Sequence, residues 1–345
     1  MSEPRTMTIE ALEARVEAIL RRAGLNPVQA GAVMRVIVAG ERDACKSHGI
    51  YRLEGVLRTV KAGKVDPGAV PVVLPGDGSA ITRVDARRGF AGPAFEAGLP
   101  VLVERTRALG LAALVINDCT HFSALWPDVE ALAGHGLASL ALCPSYSAVA
   151  PAGGIAALLG TNPLAFGWPR TQAPPYVFDF ATSVAARGEI ELRRRAGETL
   201  PEGWAIDGDG QPTTDPQTAL AGAMLPFGGH KGSAISTMIE LLAGVMIGDL
   251  TSPEVLAELG STSLSPMHGE LVVAFSPERF AGARRGDPLA RAEILFDAIL
   301  GQGARLPSQR RFAAREVSQT SGIALSAAET ALLDRLLAEG LDAVG

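Results

Sequence analysis

The stretch Lys46-Ser47-His48-Gly49-Ile50-Tyr51-Arg52 sets a hydroxyl beside an imidazole, with a guanidinium four residues past the imidazole. With a helix running from Gly49 onward, Ser47 and His48 stand at its start. Arg52 then lies one turn in, and residues three or four apart share a helix face, so its side chain reaches the same spot. A proton donor next to a carboxylate clamp suits reduction of a small 2-oxo or 2-imino acid. Ser-His pairs also arise by chance, so the reading depends on what the rest of the chain supplies.

Working outward, the residues before this stretch read as helical. Ile9, Leu12, Val16, Ile19 and Leu20 recur at helical spacing behind Thr8, a suitable N-cap, and Gly24 can stop that helix. Asn26-Pro27 reads as a fresh N-cap followed by proline at the first helical position. A third helix is expected from the Ser-His-Gly turn through Leu53, Val56, Leu57 and Val60 to Gly63. The texture changes between Pro67 and Pro75, where proline and glycine rise. Strands are expected at Ala80–Val84, Ala113–Ile116, Leu137–Leu142, Tyr176–Phe180 and Glu270–Phe275. Helices are expected between them at Pro93–Arg107 and Ser123–Gly134, and again at Ser233–Ile247. The expected class is mixed α/β. A helical domain would be built from both termini, residues 1–70 and 230–345. A sheet-containing cofactor and substrate domain would be inserted at 71–229.

The chain has 345 residues, enough for a large core and two domains. Hydrophobic residues at 47% and charged residues at 20% place it among globular proteins. The net charge of -6 argues against nucleic acid or an anionic membrane as the main partner. Cys45, Cys119 and Cys143 fall in no CxxC spacing, which argues against a zinc site or a disulfide framework and suits a reducing cytoplasm. Five histidines without HxxxH spacing make no metal case. The first 22 residues hold no long apolar run of the signal-peptide kind. The apolar stretch Ile235–Ile247 is too short for a bilayer and contains Glu240.

Several further stretches carry chemistry. Asn117-Asp118-Cys119-Thr120-His121-Phe122-Ser123 follows a strand and enters a helix, where exposed amides suit a phosphate or a cofactor amide. The same residues would equally make an ordinary β-to-α turn. Gly160-Thr161-Asn162-Pro163 builds a stiff loop whose Thr hydroxyl and Asn amide can face a ligand. Phe178-Asp179-Phe180-Ala181-Thr182-Ser183 ends a strand and leads to Arg187-Gly188-Glu189. Glu189 is a candidate relay carboxylate for His48, with Asp179 and Asp207 as alternatives. Pro226-Phe227-Gly228-Gly229-His230-Lys231-Gly232 resembles an anion cradle at a helix start. Arg305-Leu306-Pro307-Ser308-Gln309-Arg310-Arg311 clusters three guanidiniums that suit a 2'-phosphate, although such a run is often a solvated face. No strand is followed by GxGxxG and no GxxxxGK[ST] is present, so a Rossmann dinucleotide site and a P-loop are not expected.

In order, SHGIYR, NDCTHF, APAGG, GTNP, FDFATS, LPEGWAIDGDGQPTTDP, PFGGHKG and RLPSQRR resemble the malate/L-lactate dehydrogenase-type oxidoreductases, over roughly residues 10 to 335. That superfamily does not use a Rossmann fold. Within it, DACKSHGIYRLEGVLRTVKAGKV and NDCTHFSALWPDVE look most like the Δ1-piperideine-2-carboxylate/Δ1-pyrroline-2-carboxylate reductases. The resemblance implies reduction of cyclic imino acids with NADPH to L-pipecolate and L-proline, in a cytoplasmic homodimer. It implies His48 as proton donor, Ser47 as its relay partner, and Arg52, Thr161, Arg187 and Gly188 at the substrate. It implies cofactor contacts at His121, Phe122, Ser123, Ala124 and Leu125, and at Asp179, Phe180 and Ala181. Further cofactor contacts would fall at His230, Lys231 and across Arg305, Leu306, Pro307, Ser308, Gln309, Arg310 and Arg311. Where the pattern has a relay Asp, this chain has Glu189, one methylene longer. Two alternatives stand beside this reading. One is a reductase of an open-chain 2-oxo acid, in which a ketone oxygen replaces the imine nitrogen. The other is a dinucleotide-binding protein without turnover, against which the intact Ser47, His48 and Arg52 argue.

Overall fold

The computed structural model describes residues 5–76, 78–122, 124–282 and 284–345. The first helices form as their end signals dictate. Thr8 caps the helix Ile9–Arg22 by accepting the Ala11 amide, and Leu12, Val16, Ile19 and Leu20 are its buried stripe. Asn26 caps Pro27–Arg42 through the Gln29 amide. A short 3-10 turn, Lys46–His48, precedes the helix Arg52–Lys61. These helices share one core with Ile323, Leu325, Leu333 and Leu336 from the far end of the chain. A two-stranded ribbon, Arg5–Met7 against Ile323–Leu325, ties the two termini together.

The main sheet has seven strands: β1 Val72–Val73, β2 Ile81–Asp85, β3 Leu111–Thr120, β4 Ala138–Leu142, β5 Leu164–Trp168, β6 Tyr176–Phe180 and β7 Met267–Phe275. Their order across the sheet is β1-β2-β3-β7-β4-β5-β6. Only β2 and β3 run parallel, joined by the crossover helix Ala91–Leu109; the other neighbours are antiparallel. Alternation along β3 sends Leu114 and Ile116 to one face and Val115 to the other. The first face is covered by Ala91–Leu109 and Trp126–Gly134 through Phe95, Leu102, Val129 and Leu132. The second is covered by Ile239, Ala243 and Ile247, from the helix His230–Glu240 and the π-helical turn Leu241–Val245 that continues it. Among the described residues, no helix is long and apolar enough to cross a membrane.

Residues 230–275, expected in the helical domain, pack in and on the sheet. β7 lies between β3 and β4, at the middle of the sheet, and His230–Glu240 packs on the sheet rather than on the terminal helices. The all-apolar run Leu271–Val273 is a strand buried on both faces, which pulls residues 267–275 into the sheet. The helical unit therefore combines the first helices with the segments after Ser308, chiefly Gln309–Ser321 and Ala327–Glu339. Strand β5 was not expected from the sequence, because Gly167 weakens its pattern. In the structure a Cβ at Gly167 would sit 2.6 Å from the Val129 carbonyl oxygen, so the glycine lets Trp126–Gly134 lie directly on the strand. A smaller three-stranded sheet, Ala223–Met224, Ala205–Ile206 and Pro212–Thr213, accounts for the Gly- and Asp-rich stretch around Asp207.

Gly98 plays the same part in the crossover helix. A Cβ there would lie 2.5 Å from Leu114 Cδ1 and 3.0 Å from Val84 Cγ2. Helix propensity alone favours alanine at this position by about 1 kcal/mol. Overpacking between helix and sheet costs about 1 to 3 kcal/mol and should win. Gly98→Ala is therefore expected to lower the melting temperature. A raised or unchanged value in a thermal melt would show that the helix can lift off the sheet.

Candidate active site

The Ser47-His48 turn is held in place from behind. Glu41, buried near the end of Pro27–Arg42, accepts the Ile50 amide at 2.7 Å and pairs with Lys46. A Cβ at Gly49 would fall 1.9 Å from the Glu41 carboxylate, and one at Gly40 would fall 2.7 Å from the His48 carbonyl group. The glycine after His48 is thus required by the carboxylate packed against it. Burial pushes the Glu41 carboxyl up, while Lys46 and the Ile50 amide pull it back. Within the turn, Ser47 Oγ lies 3.1 Å from His48 Nδ1. The indole of Trp126 meets the His48 ring edge to face, with centroids 5.6 Å apart. Arg52 Nε donates to the Ser47 carbonyl at 2.8 Å, and its guanidinium lies 5.1 Å from the Tyr51 ring centroid. Glu54 is engaged by Arg195 and Arg335, not by Arg52.

Ser47, His48, Arg52, Thr161 and Arg187 line one cavity of about 250 Å³, at the junction of the helical unit and the sheet. Phe122, Asp179, Phe180, Ala181, Ser308 and Arg311 line it too. Cys45, Trp126 and Tyr146, which sequence reasoning did not place at the site, also line the wall. Tyr146 carries the Arg187 guanidinium 5.6 Å from its ring centroid, and Arg187 Nη2 also reaches Thr262 Oγ1 at 3.0 Å. No local motif marks Tyr146; only the fold brings it to Arg187.

Other expected residues stand elsewhere. Gly188 packs against Tyr51, where a Cβ would meet the phenol oxygen at 2.2 Å, and lines a neighbouring hollow with Arg52 and Arg187. Glu189 does not line the cavity; its half-exposed side chain faces Arg193 at 3.8 Å along the same helix. Of its two alternatives, Asp207 holds its own turn through the Asp209 and Gln211 amides, whereas Asp179 is on the cavity wall. Asn162 turns its amide inward to Ser236 and Glu240 rather than towards a ligand, so Thr161 and Pro163 are the residues of that loop that line the cavity. His121 is buried against Glu270, and Ala124 and Leu125 are buried beneath the cavity wall. Ser123 lies outside the described residues.

The arginine run separates into two kinds. Arg311 is buried and paired with Asp43 and Glu130, donates to Ser308 Oγ at 2.9 Å, and stacks near Trp126. Leu306 is core, Pro307 and Gln309 are half-buried, and Gln309 accepts the Leu306 amide. Arg305 and Arg310 are exposed, as are His230 and Lys231 at the start of His230–Glu240. Apolar Phe122, Phe180 and Ala181 inside the cavity and exposed cations outside it fit a dinucleotide, with an aromatic ring at one end and phosphates at the other.

The family model for malate/L-lactate dehydrogenase matches residues 7–334. The chain belongs to the malate/L-lactate dehydrogenase family. A relative within this dehydrogenase family, a Δ1-pyrroline-2-carboxylate reductase from Agrobacterium fabrum, is 73% identical over 100% of both chains. A Δ1-pyrroline-2-carboxylate/Δ1-piperideine-2-carboxylate reductase from Pseudomonas aeruginosa is 54% identical, over 92% of this chain and 95% of its own. The solved Δ1-piperideine-2-carboxylate reductase from Pseudomonas syringae superposes with a TM-score of 0.90 at 39% identity, covering 96% of this chain and 99% of that one. Membership of the dehydrogenase family brings with it a nicotinamide dinucleotide cofactor.

Asp179 is the cavity's perturbed acid. Burial pushes its pKa up to about 6, although its Oδ2 accepts the Leu125 and Trp126 amides at 2.9 and 3.0 Å. The native state therefore holds a proton that the unfolded chain has already lost. This stabilisation is full below about pH 4 and disappears as pH rises through about 6, a change on the order of 3 kcal/mol. Asparagine keeps an acceptor and cannot ionise. The melting temperature of Asp179→Asn relative to the unsubstituted chain is expected to climb between pH 4 and pH 6.5. A flat difference across that range would mean that Asp179 titrates near its ordinary value.

Proposed function

We propose that the protein reduces cyclic 2-imino acids with NADPH, converting Δ1-piperideine-2-carboxylate to L-pipecolate and Δ1-pyrroline-2-carboxylate to L-proline. The convergence of Ser47, His48, Arg52, Thr161 and Arg187 on one small cavity carries this reading. The names of the relatives support the imine over the ketone. A volume of about 250 Å³ suits a compact ring acid.

The nicotinamide dinucleotide supplies the hydride when bound. The residues of this chain place and protonate the acceptor. Ser47 occupies His48 Nδ1, so Nε2 is the ring atom that serves the substrate. His48 holds the proton at the imine nitrogen, which makes C2 electrophilic. Arg52, anchored through Nε to the Ser47 carbonyl, keeps its terminal nitrogens for the ring carboxylate. Donor and clamp thus come from one turn and move as a unit, and fixed placement supplies much of the rate. Phe122, Phe180 and Trp126 exclude water from the reacting face. The relay role expected of Glu189 finds no support in its half-exposed position, and the Ser47 hydroxyl is the group that orients His48.

Preference for NADPH rests on Lys231, Arg305 and Arg310. All three are exposed, and no carboxylate pairs with them among the described residues, so they are available to a 2'-phosphate. A panel of cyclic imino acids and open-chain 2-oxo acids, run with NADPH and NADH, tests the whole reading. The expected result is the highest kcat/KM for an imino acid with NADPH. His48→Ala should fold and bind NADPH while losing about 10² to 10⁴ in kcat. Turnover of oxo acids alone, or near-normal kcat in the folded variant, would sink the assignment.

Arg52→Lys separates clamp from scaffold. Lysine keeps the charge and loses the planar fork. The expected loss in kcat/KM for the imino acid is about 10- to 150-fold, with little change in NADPH affinity. A lower melting temperature with kcat/KM within about twofold of normal would make Arg52 a structural residue.

We also infer a homodimer. Met238, Leu241, Val245 and Met246 are exposed apolar side chains on one helical segment. Light scattering should give twice the chain mass, and a monomer mass at working concentration would overturn this.

A further inference from the structure

Phe122 lines the active-site cavity and also a second hollow of about 30 Å³. Around this second hollow stand His121, Asp128 and Glu270, with Thr120 beside them. One ligand atom from each of the first three, an imidazole nitrogen and two carboxylate oxygens, lies within 4.8 Å of the others. His121 Nε2 is 3.3 Å from Glu270 Oε2. Glu270 is wholly buried with Asp128 hydrogen-bonded to its carboxylate, no amide or hydroxyl donates to it among the described residues, and Thr120 Oγ1 has no hydrogen-bond partner. Among the described residues, His121 is the sole basic group within ion-pair reach of Glu270, and no Lys or Arg pairs with Asp128.

Two carboxyls in a protein core without a guanidinium are costly to keep there. The hollow has room for one water or one ion. A water has two protons to give, whereas several acceptors surround this space. A cation satisfies all of them at once. We propose that His121, Asp128 and Glu270 bind one divalent first-row transition cation, with the Thr120 hydroxyl at its edge. One imidazole and two carboxylates form a donor set that suits zinc, manganese, cobalt or iron(II). The ligands come from the turn after β3, the helix Trp126–Gly134 and β7, so no spacing motif announces them. The site is structural: it staples these three segments behind Phe122 and Trp126, which wall the active site.

The test uses the full chain, stripped with dipicolinate, loaded with cobalt(II) and passed through a gel filtration column. The expected result is one cobalt per chain by elemental analysis and a rise in melting temperature of about 3 °C or more. Asp128→Asn and Glu270→Gln preserve side-chain shape and should each weaken cobalt binding at least about tenfold. A wild-type chain that retains no cobalt overturns the proposal, and Asp128 and Glu270 then share a proton instead. Variants that retain cobalt as well as wild type also overturn it. If neither variant folds, X-ray absorption of the cobalt-loaded wild type decides. One imidazole among oxygen ligands supports the site, and an all-oxygen shell refutes it.

Discussion

The candidate active site depends on one buried carboxylate. Glu41 sits at the end of its helix with 1% of its side chain exposed, and it takes the Ile50 amide and the Lys46 ammonium. These contacts close the turn that carries Ser47 and His48 and start the helix that carries Arg52. Leaving that amide and that ammonium without their acceptor would cost more than the contacts contribute net, because the unmet groups stay out of water. Gly40 and Gly49 permit the approach, since a side chain on either would collide with the turn or with the carboxylate. The proposed proton donor and substrate clamp are therefore set by a single local geometry.

The second constraint is longer in range. β7 enters the middle of the sheet from a point late in the chain and pairs on both edges, with β3 and with β4. The sheet cannot complete itself until residues 267–275 arrive. The late segment around Ser308 and Arg311 is then brought against β6, where Ser308 donates to the Val177 carbonyl. The cavity wall is thus assembled from the first helices, the sheet and the last third of the chain, and it exists only in the finished fold.

The same assembly explains why the arginine run is not one functional patch. Arg311 and Arg315 neutralise Asp43 and Glu130 in the interior, which ties the last helices to the end of Pro27–Arg42. Arg305 and Arg310 remain at the surface. Adjacent residues with identical chemistry are divided by a helix start that faces Arg311 inward and Arg310 outward.

Local signals in the sequence determined the helices with clear caps, the five strongest strands, the absence of a Rossmann loop, and the linked motifs that place the chain among the reductases. Caps, periodicity and turn residues act within a few positions, so they survive in the sequence. Strand β5, the place of β7, the roles of Glu41, Tyr146 and Trp126, and the inward turn of Asn162 were decided by tertiary structure alone. So was the side of its helix that Glu189 shares with Arg193. Each of these turns on what lies opposite a residue across the core, and that partner comes from a distant part of the chain. Side-chain chemistry can be read residue by residue, but burial and approach distance are properties of pairs, and the pairs form only when the chain folds.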